Sequence, residues 1–395
     1  MTVPLTTTDV ISELAGVAPG SELAELRAQR PEAMQHAQGS YAALFETPQP
    51  SDLTGAERLA IAAHVAGLHH ASQAQRHYLG RLGHEQPVGA RWTALLRHAD
   101  LLSLRPVTAT PDDLQALVDA GLSATAILTL SQVIAFVSFQ VRVVAGLCLL
   151  GDAHQDDELH TEPALPEVPT AAEAPGRVVR PPADLRRPTA FTVAELAWTP
   201  WLEPIELANA TPEQAAALDD RRGNSPYFRL LARDPRVLVE RTATDRGIFY
   251  THGGAPRAER ELAAAATSRL NGCIYCTSVH ARLAAQLSKR DADVDRLLRR
   301  GVAPGTPLEL DDRWQAVVHL AVALAPTPPA LSPAHVQQLR DLGASDLEIL
   351  DVIQAGAFFA WANRLMLTLG EPYVPEPILR GACHPKDDNR QGRRI

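Results

Sequence analysis

Residues 259–284 read ERELAAAATSRLNGCIYCTSVHARLA, and this stretch decides both the fold class and the chemistry. It is Ala-rich at helical spacing, and Pro256 stands where a helix would open. Asn271-Gly272 interrupts the pattern. One helix should therefore end near Leu270, and a second should run from about Cys273 to Leu287. At about 100° per residue, Cys273, Cys276 and His280 fall within an arc of about 60° on that second helix. No strand is expected before Cys273, which argues against a thioredoxin-type CxxC.

Each spacing has a chemical reason. Cysteines three apart on one helix face can close a disulfide. Cys273 lies in the first turn, where free N–H groups and the helix dipole stabilise a thiolate. His280 follows Cys276 by one turn and can take its proton, and Glu261 on the preceding helix can orient the imidazole. These residues read as a redox-active pair with a proton relay. Two bland alternatives stand beside that reading: a pair of small core residues, or a zinc site. For zinc, the CxxC and His280 give three ligands, and Cys383-His384 could add a fourth only by folding back.

Working outward, the same helical spacing recurs over most of the 395 residues. Residues 1–150 predict helices over Leu23–Arg30, Gly55–Leu82, Arg91–Leu102, Pro111–Ala120 and Ser123–Leu150. Residues 151–190, rich in Pro, Ala and charge, predict an extended, mobile linker. A second helical unit is expected over 191–380, and a polar, disordered tail over 381–395. The two units repeat each other. A shift of 222 places Arg91-Trp92 on Arg313-Trp314, Gly121 on Gly343, Gln132 on Gln354 and Arg142 on Arg364. Upstream, a shift of 203 places Leu59-Ala60 on Leu262-Ala263 and His77 on His280, which implies an insertion around Asp291–Glu309. Under that shift His70 stands at Cys273, Gln73 at Cys276 and Arg58 at Glu261. The first unit would then lack the thiols. Its histidines His64, His69, His70 and His77 read as a hydrogen-bonded or solvated face rather than an acid–base or metal site. Trp92, Trp314, Phe358, Phe359 and Trp361 are spaced like core, and Arg142 and Arg364 like residues that hold an ion pair or a helix end.

Composition narrows the class. Lys and Arg number 37 and Asp and Glu 46, a formal charge of −9. With no basic run, nucleic acid and anionic membrane are not expected partners. Ala126–Leu150 is the most apolar stretch, yet it carries Gln132, Gln140 and Arg142, so a buried core helix is expected rather than a membrane span. The start lacks the pattern of a secretory signal, and four cysteines are too few for a disulfide framework. A cytoplasmic protein is expected.

The arrangement Glu261, Cys273, Cys276, His280 resembles the signature of the alkylhydroperoxidase D / carboxymuconolactone decarboxylase superfamily. Residues 259–284 and the stretch ILDVIQAGAFFAWANRLMLTLGEP at 349–372 are similar to its uncharacterised peroxidase-related branch. The resemblance implies an all-α fold of two tandem alkylhydroperoxidase D-like helical domains joined by a Pro-rich linker. The first would be a degenerate decarboxylase-like domain and the second would hold the chemistry. It also implies homo-oligomers, here a trimer as a pseudo-hexamer. The implied activity is thiol-dependent peroxide reduction in antioxidant defence, with no metal, haem, flavin or other cofactor. Cys276 would be the peroxidatic cysteine, and Cys273 the more accessible resolving one. His280 and Glu261 would be the relay, with a lipoyl- or thioredoxin-like dithiol as reductant. Family peroxidases often carry His just before the second cysteine, where this chain has Tyr275. A cysteine-independent lyase or isomerase, and a non-catalytic redox-sensing oligomer, are the alternative functions.

Overall fold

Helix starts follow the caps written into the sequence. Thr54 with Glu57, Thr110 with Asp113 and Ser345 with Glu348 form capping boxes, each bonding the first-turn backbone in both directions. The computed structural model describes residues 9–47, 51–83, 87–151, 173–218 and 223–376. Among them are seventeen α-helices and one two-stranded sheet, so the fold is all-α with two tandem helical units.

The sheet is a departure from the helical block expected from residue 191. Ala197–Pro200 pairs antiparallel with Gly370–Tyr373, Trp198 opposite Pro372. A Cβ at Gly370 would lie 2.3 Å from the Thr199 carbonyl oxygen and from the Trp198 ring, so only glycine lets the strands close. Trp198 donates its indole N–H to the Met366 carbonyl (3.1 Å) and ties the sheet to the preceding helix. Residues 173–190 are extended and bonded on both sides: Gly176 N–H to Leu122 O, and Val374 N–H to Arg186 O. The remainder of the Pro-rich segment, 152–172, and the tail 381–395 lie outside the described residues.

The expected helix Gly55–Leu82 is two helices, Gly55–Leu68 and Ser72–Leu82, separated by a turn in which His70 takes φ +56°. This turn corrects the upstream register. Gly55–Leu68 and Arg257–Leu270 are both fourteen residues long. Gly272, at φ +78°, occupies the place of His70. The correct shift is therefore 202 rather than 203. Two pairs of contacts agree: Arg91 binds Glu57 as Arg313 binds Glu259, and Arg58 and Arg260 are both buried. In this register Ala71 stands at Cys273, Ala74 at Cys276, Leu59 at Glu261 and Tyr78 at His280. The sequence reading missed the register because alanines abound on both sides and a one-residue slip still overlays several of them. The expected insertion contains the helix Asp291–Arg300, which has no counterpart among the described residues of the first unit.

The core is shared between the units. Helix Ala124–Leu150 packs along Asp346–Thr368, and helix Pro31–Tyr41 along Pro235–Phe249. Ala124–Leu150 is long and apolar enough to cross a bilayer by length and composition, but most of its surface is covered by the rest of the protein. Phe136 and Phe139 meet Phe358 and Trp361, with Phe139 5.6 Å from Trp361 between ring centres. The Trp361 indole N–H donates to Gln132 Oε1 (2.8 Å). Two buried arginines then cross over. Arg142 of the first unit donates to the carbonyls of Leu324, Ala325 and Pro326 at the end of helix Asp312–Leu324. Arg364 of the second donates to Ser103 O near the end of helix Gly89–Leu104. Each satisfies a helix end that would otherwise be buried without donors. Both arginines hold helix ends, and those ends belong to the opposite unit.

Replacing Arg142 with Met should strand three carbonyls and cost at least about 3 kcal/mol, at about 1–3 kcal/mol per buried unpaired group. Arg364→Met, with fewer bonds, should cost less. Urea denaturation followed by circular dichroism would measure both, and equal stability to wild type would contradict the bracing role.

Candidate active site

Helix Arg257–Leu270 stops because Asn271 and Gly272 turn the chain, and the Asn271 amide is held by Asn363 Oδ1 (2.9 Å). A Cβ at Gly272 would lie 2.7 Å from Val107 of the first unit. The turn thus needs glycine for its φ and rests directly on the other half of the chain. Cys273 becomes the N-cap of helix Ile274–Ser288. Its N–H bonds Ser268 O, and its carbonyl accepts from Thr277 Oγ1 (2.8 Å). Both cysteines are free thiols.

The four predicted residues are gathered, though not all on one surface. Glu261 is wholly buried, and its Oε2 lies 2.5 Å from His280 Nδ1. Its Oε1 accepts from Arg257 Nε (2.9 Å). Burial would raise the Glu261 pKa, but the hydrogen bonds and charges of His280 and Arg257 outweigh it and leave the group below the ordinary carboxylate range. An ionised carboxylate only accepts, so Nδ1 of His280 carries a proton and Nε2 is the nitrogen left to face other partners. Phe359 crosses the imidazole edge-on at 4.2 Å between centroids and fixes its plane.

Cys276 and His280 line one cavity of about 220 Å³, with Tyr227, Arg241, Phe358 and Phe359. Cys273 lines a different cavity of about 190 Å³, with Arg187, Met366 and Glu371. Tyr275 borders both. As an N-cap with ψ 90°, Cys273 stands off the helix, so the common arc holds for Cys276 and His280 only. Nor is Cys273 the more accessible thiol: it is 2% exposed and Cys276 4%. The hydrogen bond to Cys273 and burial push the Cys276 thiol well above its usual pKa, while Asn363 and the Arg241 charge act the other way. In this reduced state Cys276 is held as a thiol and needs a base to ionise it.

Sequence reasoning missed four contributors. Asn363 is fully buried on helix Asp346–Thr368, and a lone amide in the apolar run FFAWANRLML was a usable signal. Phe359 was assigned to the core. Arg257 and Arg241 left no signal in spacing. The histidines of the first unit do not converge. His64 bonds Asp100 (2.7 Å), His69 Ser138 (3.3 Å) and His77 Tyr41 (2.8 Å), and His70 is exposed. No group of three or more potential metal ligands occurs among the described residues. Cys383 and His384 lie outside them.

Residues 235–311 match the model of the carboxymuconolactone decarboxylase family. No curated protein matches the chain. Among solved structures, the chain is similar to one titled alkylhydroperoxidase AhpD core, an uncharacterised peroxidase-related protein from Ralstonia eutropha. Identity is 25%, over 40% of this chain and 84% of that one, with a TM-score of 0.35.

Glu261→Gln should slow alkylation of Cys276 by iodoacetamide at neutral pH about tenfold or more, because the imidazole loses the anion that fixes its tautomer. It should also change acid stability. The depressed pKa of Glu261 contributes stability that is fully present above the unfolded value of about 4.3 and fades as pH falls through the folded value. The variant should lose that acid limb in a pH series of denaturation curves. An unchanged alkylation rate in a folded variant would remove Glu261 from the relay.

Proposed function

With residues 235–311 belonging to the carboxymuconolactone decarboxylase family, we propose that the chain is a thiol-dependent peroxidase with Cys276 as nucleophile. The observation that carries this reading is the shared cavity: Cys276 and His280 line it together, and His280 is held by the ionised Glu261 behind it. His280 Nε2 takes the Cys276 proton. The thiolate attacks the distal peroxide oxygen, the O–O bond breaks, and Cys276 becomes a sulfenic acid. The alkoxide leaves as an alcohol with the proton returned by His280.

Cys273 then attacks the sulfenic sulfur, water departs and a Cys273–Cys276 disulfide remains. An external dithiol restores both thiols by exchange and is itself oxidised to a disulfide. The two cavities suit this cycle. Peroxide would reach Cys276 from one side, and the dithiol would reach Cys273 from the side of Arg187 and Glu371. Lipoyl- and thioredoxin-like carriers are the dithiols to try first. The first unit, with Ala71 and Ala74 at the cysteine positions, would serve as a structural partner. Its Val107 supports the turn that precedes Cys273.

Cys276→Ser should abolish peroxide consumption. Cys273→Ser should stop after one turnover, with one oxygen added at Cys276 by intact mass. Wild type titrated with peroxide should lose two hydrogens. Peroxide turnover that survives in Cys276→Ser would refute the assignment. Disulfide formation with a change of oligomer size and no turnover would favour redox sensing instead.

A further inference from the structure

Seven arginines are buried among the described residues, and six have hydrogen-bond partners. Arg27 pairs with Asp9, and Arg30 and Arg260 with Asp351. Arg58, Arg142 and Arg364 donate to backbone carbonyls. Arg241 is the exception. It is 5% exposed, has neither an ion pair nor a hydrogen bond among the described residues, and its Nε is buried without an acceptor. Its guanidinium lies instead near the rings of Phe358 (4.9 Å), Trp361 (5.7 Å) and Tyr227 (5.9 Å). Rings stabilise the cation but leave its N–H donors unused. Asp245, one helical turn on, lines the same cavity.

A buried cation whose donors find no acceptor in the protein is costly unless something completes it; Nε is buried and unpaired, and the terminal nitrogens have no protein acceptor among the described residues. Arg241 lines the cavity of Cys276 and His280, so the missing acceptor would be a cavity occupant. A planar five-donor fork matches a carboxylate in two-point contact. The rest of the wall combines apolar Phe358, Phe359 and Met366 with polar Ser225, Thr242 and Asp245. At about 220 Å³ the cavity is below the roughly 300–1,000 Å³ of sites for drug-sized molecules. We propose that this pocket binds a small organic acid with an apolar body, its carboxylate on Arg241. On the peroxidase reading, which this inference deepens, the substrate is an organic hydroperoxide that carries a carboxylate away from its O–O bond.

Binding and turnover can be separated. Calorimetry on the reduced full-length chain would compare 4-isopropylbenzoate with the neutral 4-isopropylbenzamide. The acid should bind about 10–100-fold more tightly, as one charged hydrogen-bonded contact would give. Arg241→Met should abolish that preference and Arg241→Lys should keep part of it. Equal binding of acid and amide to wild type overturns the proposal, even where a variant fails to fold. So does an unchanged preference in folded Arg241→Met. Turnover would compare cumene hydroperoxide with its 4-carboxy derivative. Arg241→Met should lower the kcat/KM ratio of acid to parent by the same 10–100-fold. An equal slowing of both peroxides would mean that Arg241 serves only the Cys276 thiolate, and would overturn the carboxylate site. If neither peroxide is consumed while acid binding still depends on Arg241, the peroxidase reading falls and the carboxylate site stands.

Discussion

The crossing of Ala124–Leu150 with Asp346–Thr368 is the constraint on which the other elements depend. Apolar surface alone would let two such helices slide, because dispersion is non-directional. Directional bonds remove that freedom. Arg142 and Arg364 each reach from their own helix to the end of a helix in the other unit, and Trp361 reaches Gln132. A guanidinium this deep cannot exchange its carbonyl partners for water, so one axial position and one rotation are selected.

The reactive site inherits that registration. Helix Asp346–Thr368 delivers Phe359 to the imidazole and Asn363 to the Asn271 turn and the Cys276 thiol. Its end is fixed by the sheet through Trp198. A shift of one residue in this helix would rotate Asn363 away from the thiol by about 100°. The polar groups of the site are therefore aligned by a packing interface with the other unit.

Much of this was legible in the sequence. Glycine, proline and capping residues marked the helix ends, and the spacing of Cys276 and His280 put them on one face. The repeat at 222 was plain because distinctive residues, Trp, Gln and Arg, recur in it. The upstream register was not, since small residues overlay equally well one position off, and only the turns at His70 and Gly272 distinguish the two. The strands were hidden because four-residue segments containing Pro and Gly carry little periodicity. Arg241 and Asn363 were hidden for a different reason. Their significance lies in what surrounds them in space, and a polar residue without a partner looks the same in a sequence as one with several.

The repeat between the units ends at the cysteine positions, where one half has Cys273 and Cys276 and the other Ala71 and Ala74. In a symmetric homodimer every substitution appears twice, so a subunit cannot surrender its reactive groups while its partner keeps them. Joining the two units in one chain lifts that restriction. Each half can then change independently at matching positions, and alanine at 71 and 74 favours helix and close packing.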